Sequence, residues 1–406
     1  MIEIKNKADC CGCSACAGIC PKNCIEMQED EEGFFYPFVE IASCINCGAC
    51  ERVCPVINAK PESEQIMNHI IKQRGYVVQN RNSHVLREST AGGAFTAIAK
   101  YVINRGGVVF GVELSDDLIA RHVYIETEEE LSRFRNSKYV QSFMGGGTHR
   151  QVKSFLKQGR FVCFSGTPCQ IEGLKNYLGK EYKNLITVDV VCRAVPSPLI
   201  FRKYVELQEK RMSDKIQTVR FRDKHYGYKY STVNVITDRN NGNYHQGIDS
   251  DPWLRAFFSN ICDRPSCHDC KFRKQDRVSD FTLWDCLNID KFSKEMDNDK
   301  GATRVLIHSE KGKEIFEAVK NDFMWIEVNP DKLIEGSKEI FESPVAHDKR
   351  GQFFKDAGSM NGEDLFNKYF PNTIKVKVEH AVRMAFFKLG IYKVVKKVFV
   401  KVTHRY

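Results

Sequence analysis

The sequence predicts two fold classes in one chain, an α+β module over residues 1–60 followed by a mixed α/β body. Three observations carry that prediction. Ten of the 17 cysteines lie between Cys10 and Cys54. Eight of these form two copies of one spacing, Cys10-x2-Cys13-x2-Cys16-x3-Cys20-Pro21 and Cys44-x2-Cys47-x2-Cys50-x3-Cys54-Pro55, offset by 34 residues. From residue 75 onward, short strand-like runs alternate with helical patterns, the signature of a largely parallel sheet covered by helices.

The cysteine repeat justifies the module. Dense cysteines mean disulfides in a secreted chain or metal ligands in a reduced one. Residues 1–7 are polar and lack an apolar leader core, so reduced thiolates in a cytoplasmic protein are expected. No run of about 18 apolar residues appears, so no spanning helix is expected. Each half-motif puts three thiolates within seven residues, and the fourth, followed by proline, reaches across to the other cluster in two-cluster ferredoxins. The spacing assigns Cys10, Cys13, Cys16 and Cys54 to one [4Fe–4S] cluster. It assigns Cys20, Cys44, Cys47 and Cys50 to the second. Proline after the fourth cysteine lacks an N–H and turns the chain away. Small residues in the loops (Gly12, Ser14, Ala15, Gly48, Ala49) let backbone amides approach the sulfurs. Zinc knuckles use separated CxxC pairs or Cys/His mixtures, and two complete copies of this motif do not fit them. Cys11 and Cys24 fall outside the pattern and read as spare buried thiols.

Residues 61–73 are polar and read as a linker or loose helix. The body then offers strands at 75–79, 108–113, 161–164 and 185–191, with helices at 94–104, 128–135, 149–158 and 170–177. From about residue 216 strands and loops dominate, and helical patterns return near 312–320 and after 363.

Seven cysteines remain, and two groupings compete for a third site. The local one, Cys262-x4-Cys267-x2-Cys270 with Cys286, has plant-type [2Fe–2S] spacing. The non-local one joins Cys169, Cys192, Cys267 and Cys270. Cys169 and Cys192 each follow a predicted strand at its carboxyl end, where open α/β sheets assemble their sites. Cys163 lies mid-strand and reads as a core thiol. His268, between two candidate ligands, is expected to be exposed or to sit behind the ligands.

Several segments together resemble the family of the beta subunit of coenzyme F420 hydrogenase and dehydrogenase. They are Ser89-Thr90-Ala91-Gly92-Gly93-Ala94-Phe95, Ser137-Lys138-Tyr139-Val140-Gln141-Ser142 and Phe164-Ser165-Gly166-Thr167-Pro168-Cys169-Gln170. They continue with Val190-Val191-Cys192, Val195-Pro196-Ser197-Pro198, Arg264-Pro265-Ser266-Cys267-His268-Asp269-Cys270-Lys271-Phe272 and Arg277-Val278-Ser279-Asp280. The resemblance runs from about Cys10 to Asn288. It implies an N-terminal-like region over 70–158 and a C-terminal-like region over 159–335; the charge pattern sets apart a basic tail at 345–406. It also implies FAD, a flavin-binding α/β body, and a third [4Fe–4S] cluster on Cys169, Cys192, Cys267 and Cys270. Two departures touch the substrate side. Arg193-Ala194 stands where the family often has His-Gly, and Leu283-Trp284-Asp285-Cys286-Leu287 replaces an aromatic-glycine segment.

For FAD, the resemblance points to Ser89, Thr90, Gly92, Gly93, Lys138, Tyr139 and Ser142. Physically, glycines before a helix let backbone approach a pyrophosphate, and the helix N-terminus favours an anion. Ser89 and Thr90 offer hydroxyl donors, and Lys138 a cation. Gly145-Gly146-Gly147 before a helix is another candidate phosphate loop, but reads better as a flexible connector.

The net charge of +9 is uneven. Residues 374–406 hold nine Lys or Arg and one acid, Glu379. Charge confined to a terminal segment argues against nucleic-acid binding by the body. Val378, Ala385, Leu389, Tyr392 and Phe399 share a rough helical face, expected to contact an anionic membrane surface or a protein partner. The run 394–402 also permits a strand. The expected activity is an iron–sulfur flavoprotein oxidoreductase that exchanges electrons with a protein or small-molecule partner. The rivals are F420 chemistry within a hydrogenase or dehydrogenase, and a non-catalytic electron-transfer subunit.

Overall fold

The computed structural model describes residues 1–59, 73–239, 244–392 and 395. The module contains an antiparallel hairpin, β1 (Ile25–Glu29) and β2 (Phe35–Val39), with Ile25 opposite Val39. Two short helices, Ala15–Ile19 and Ala49–Arg52, each follow a left-handed residue, Ser14 and Gly48. A second left-handed pair, Gly12 and Asn46, repeats the same offset. Both cysteine loops are therefore wound alike, with successive amides turned toward one concavity.

The body is built on β3 (Arg74–Asn80), β4 (Val108–Leu114), β5 (Ala120–Ile125), β6 (Val162–Gly166), β7 (Leu185–Val190), β8 (Ile216–Asp223), β9 (Thr232–Thr237), β10 (Tyr244–Gln246), β11 (Phe281–Asp285), β12 (Thr303–Ile307) and β13 (Phe323–Val328). Eight strands form one sheet in the order β13-β3-β12-β11-β7-β6-β4-β5. β11, β7, β6 and β4 run parallel. Each is buried over at least its first three residues, as strands covered on both faces must be, and opens toward its carboxyl end. The outer pairings are antiparallel, so the sheet is mixed rather than largely parallel. The chain turns straight back from β4 into β5, without a crossover helix. β12 likewise returns between β11 and β3. β8, β9 and β10 make a separate antiparallel sheet.

Most expected helices form, at Ala94–Ile103, Gly145–Lys157, Pro168–Leu178 and Glu310–Val319. The stretch expected as a helix at 128–135 is instead a 3₁₀ turn, Glu129–Phe134. Gly145, Gly146 and Gly147 open a helix instead of forming a connector. Helices Arg350–Ala357 and Gly362–Tyr369 pack on Pro198–Met212. Their Phe353, Leu365 and Phe366 share one buried core with Phe201, Tyr204, Phe221 and Trp253. The first part of segment 345–406 therefore belongs to the body. The expected linker lies outside the described residues except for Gln73, as do most positions after 392.

The module is seated on the body by named contacts. Arg350 donates to both oxygens of Glu32, at 2.8 and 2.6 Å. Arg150 reaches the Gly18 carbonyl and the Asn23 side chain. Gly33, at φ 84°, lies so close to Leu199 that a Cβ there would come within 2.4 Å of the Leu199 Cβ.

Candidate functional site

Three thiol sets and one cavity define the site. In the first set Cys13, Cys16 and Cys54 are buried and Cys10 is partly so. Burial and then the neighbouring Cys10 and Cys54 raise the Cys16 thiol. Burial likewise raises Cys54, with Cys10 and Cys50 contributing. In the second set, Cys20, Cys44, Cys47 and Cys50 ring a small hollow, with Cys47 exposed. Amides of Ile2 and Asn46 point at the Cys50 and Cys44 sulfurs, at 3.3 and 3.4 Å. Cys24, expected as a spare thiol, also lines this hollow, 3.3 Å from the Cys20 sulfur.

Cys169 occupies the first turn of Pro168–Leu178, at the carboxyl end of β6. Cys192 lies just past β7, and Cys267 and Cys270 flank the end of a 3₁₀ turn, Pro265–Asp269. These four thiols are mutual neighbours. Cys192 is pushed up to about 12 by burial and then by Cys169 and Cys270. Cys267 is raised by burial and then by Cys192. Crowded, buried thiols resist ionising together unless a cation compensates them, so the donor set fits iron. Among the described residues, no three His, Cys, Asp or Glu side chains close on a single-ion site. Cys262 and Cys286 fall in two different apolar clusters, so the local grouping does not assemble. Cys163 is a fully buried core thiol, as expected. His268 is partly buried, with Nδ1 on the Pro344 carbonyl at 3.0 Å.

Cys169 and Cys192 also border a cavity of 610 Å³, within the range that holds a cofactor. It lies along the carboxyl ends of β6, β7 and β11 and meets the start of helix Ala94–Ile103. Gly93 opens that helix at φ 76° with no side-chain cap, and Ala94, Phe95 and Thr96 line the cavity. The first helical amides therefore face the space without a side-chain acceptor.

The structure sorts the expected flavin residues. Ser89, Thr90, Gly93, Lys138, Tyr139 and Ser142 line the cavity. Gly92 does not. It is wedged into backbone, where a Cβ would lie 2.3 Å from the Val78 carbonyl and 2.5 Å from the Thr303 amide. The Ser89 hydroxyl donates to the Val85 carbonyl at 2.7 Å, closing the preceding helix. Thr90 and Ser137 hydroxyls pair at 3.0 Å. Lys138 donates to the carbonyls of Arg133 and Arg135, and burial, then the Arg220 cation, push it down to about 7. The Tyr139 ring stacks on Phe257 at 4.8 Å. Ser142 bridges His122 and Gln170, at 3.0 and 3.1 Å.

Three features were not singled out from the sequence. Arg222 donates to Asp285 at 2.8 Å and to the Tyr139 hydroxyl at 3.2 Å on the cavity wall. Cys11 lines the cavity beside Cys169, and Cys11, then burial, raise the Cys169 thiol. Arg264 runs, fully buried, into the first cysteine loop. The Arg264 position was visible only as part of a motif.

Residues 9–58 match the 4Fe–4S dicluster domain. Residues 159–332 match the family that describes the C terminus of the coenzyme F420 hydrogenase/dehydrogenase beta subunit. A chain in the solved F420-reducing [NiFe] hydrogenase complex from Methanosarcina barkeri aligns at 18% identity. The alignment covers 74% of this chain and 91% of that one, with a TM-score of 0.42. A search of curated proteins gave no match.

Proposed function

We propose that this chain, an iron–sulfur protein related to the beta subunit of coenzyme F420 hydrogenase and dehydrogenase, is a cytoplasmic flavoprotein oxidoreductase. It passes electrons between ferredoxin-type clusters and FAD, and on to a protein or small-molecule acceptor. One observation carries the reading. Cys169 and Cys192, two of four neighbouring thiols, form part of the wall of a cofactor-sized cavity.

In this reading Cys10, Cys13, Cys16 and Cys54 hold the first [4Fe–4S] cluster, and Cys20, Cys44, Cys47 and Cys50 the second. Cys169, Cys192, Cys267 and Cys270 hold a third. Iron–sulfur clusters supply one-electron transfers, and FAD supplies exchange between single electrons and an electron pair. The protein's own part is placement. The bare start of Ala94–Ile103 takes a phosphate, with Thr90 and Lys138 nearby. Tyr139, fixed by Phe257 and Arg222, forms an aromatic wall. Ser142 and Gln170 present polar edges beside the third thiol set. The exposed Cys47 edge marks where a donor protein approaches.

The tail helix, Ile374–Lys388, supports contact with an anionic membrane surface. Among the described residues no helix is long and apolar enough to cross a membrane. One face of the tail helix is docked through His380 on Asp249 at 2.8 Å and Phe387 against Tyr230. The opposite stripe, Ile374, Val378, Val382, Ala385 and Leu389, is exposed between Lys375, Lys377 and Lys388. Tyr392 departs from the expected face and is buried against Tyr230. Phe399 and most of the run 394–402 lie outside the described residues.

The ligand assignment is tested by counting iron in Cys192→Ser and Cys270→Ser. Each should lose about four irons per chain, the content of one cubane. Cys286→Ser should lose none. Equal iron in all three variants would overturn the third cluster.

A further inference from the structure

Arg264 is a fully buried cation whose hydrogen bonds all go to neutral groups. Its Nε donates to the Cys10 carbonyl at 2.8 Å, one terminal nitrogen to the Phe35 carbonyl at 3.0 Å, and the other to Gln141 Oε1 at 3.3 Å. The guanidinium lies over the rings of Tyr36 and Phe34, at 4.1 and 5.4 Å. The adjacent Asp263 carboxyl is not its counter-ion: among the described residues neither of its oxygens has a hydrogen-bond partner, and burial pushes it up to about 7. A buried charge without a counter-ion is strongly unfavourable, so an anion is expected within reach.

Held on iron as thiolates, the cysteines of the first and third sets would supply that anion. The side chain reaches the Cys10 loop at one end, and the backbone meets Cys267 at the other. The Arg264 carbonyl accepts from the Cys267 amide at 2.9 Å, so its backbone opens the turn that carries Cys267 and Cys270. Its side chain ends in the Cys10 loop. Gly12 leaves room for Gln141 and Arg264 together, because a Cβ there would stand 2.6 Å from Gln141 Nε2 and 3.2 Å from the guanidinium carbon. One cation therefore sits between two thiol sets that belong to different domains.

We propose that Arg264 is a positioning residue that fixes the first and third clusters relative to each other and raises the reduction potential of both. The inference rests on the cluster assignments above. A four-thiolate cubane carries net negative charge, and reduction adds one more. A fixed positive charge in a poorly screened interior favours the more negative, reduced form. The second cluster's hollow is lined by none of the residues that Arg264 touches, so it should feel the charge least.

The test is an EPR-monitored redox titration of the anaerobically prepared full chain, with iron counted in every sample. Arg264→Gln should shift the first and third clusters negative by at least tenfold in the one-electron equilibrium, about 59 mV. The second cluster should move less, and Arg264→Lys should recover at least half of the shift. A second variant covers misfolding of the first. Gln141→Glu keeps an acceptor for Arg264 and for the Phe35 amide (3.1 Å) while neutralising the cation, and should give the same negative shift. Unmoved potentials in a variant that retains its iron, or an equal shift at the second cluster, would overturn the inference. Iron content of the unaltered chain separates the two claims. About eight irons would remove the third cluster yet leave the effect on the first to be read.

Discussion

Glu32→Gln should loosen the ferredoxin module from the body. The Glu32 carboxylate takes both terminal nitrogens of Arg350, with side chains only 16% and 14% exposed. Removing one partner of a fully buried pair costs about 3–5 kcal/mol, and an exposed pair contributes at most about 1 kcal/mol. The partial exposure and the acceptor retained by glutamine place the loss near 2 kcal/mol. That is roughly a thirtyfold rise in the undocked population. Hydrogen exchange of the β1 and β2 amides under anaerobic conditions reads it directly, because opening at this edge exposes the hairpin. Lys210→Met, which breaks a solvent-exposed pair with Glu363, is the control. Exchange in Glu32→Gln no faster than in that control would refute the claim that this ion pair seats the module.

Three further perturbations test other parts. Asp251 is buried and accepts from Tyr204, Tyr244 and the Leu254 amide, and burial lifts its carboxyl from 3.8 to about 6. The folded state binds this proton more tightly, so its stabilisation is full below pH 3.8 and is lost as pH rises through about 6. Asp251→Asn should flatten urea stability across that window, and an unchanged slope would contradict the assignment. Gly92→Ala should cost about 3 kcal/mol through backbone overlap and Gly93→Ala only about 1 kcal/mol through its left-handed φ. Equal melting points would sink that distinction. Lys375→Glu with Lys377→Glu and Lys388→Glu should abolish co-flotation with phosphatidylglycerol-containing vesicles, while neutral phosphatidylcholine vesicles should not bind the parent chain. Flotation that survives the charge reversal would exclude the tail helix as the contact.

Legibility followed the range of the interactions. The cysteine repeat encodes its own loops, so Gly12, Ser14 and Gly48 could be placed in them by spacing, whereas Asn46, left-handed at the position matching Gly12, was not singled out. Cys169 and Cys192 were legible as strand-end residues, because β6 and β7 are consecutive in the chain and paired in the sheet. Gly92 was not, because its neighbour Thr303 comes from a distant strand. Cys11 looked idle because Cys169, its neighbour, is supplied by another domain. Arg222 and Asp285 belong to separate sheets, and no local pattern announces their pairing. The triglycine at Gly145 read as a connector on propensity, yet Gly146 must be small where its helix meets the Ala17 carbonyl. Helices Arg350–Ala357 and Gly362–Tyr369 were grouped with the basic tail because the charge beyond residue 374 masked their apolar Phe353 and Phe366.

The central claim is that these thiols hold iron beside a flavin. The direct measurement is iron, acid-labile sulfide and flavin per chain after strictly anaerobic purification. The account predicts about twelve irons, as many sulfides and one FAD. Zinc in place of iron, or iron without any flavin, would contradict it.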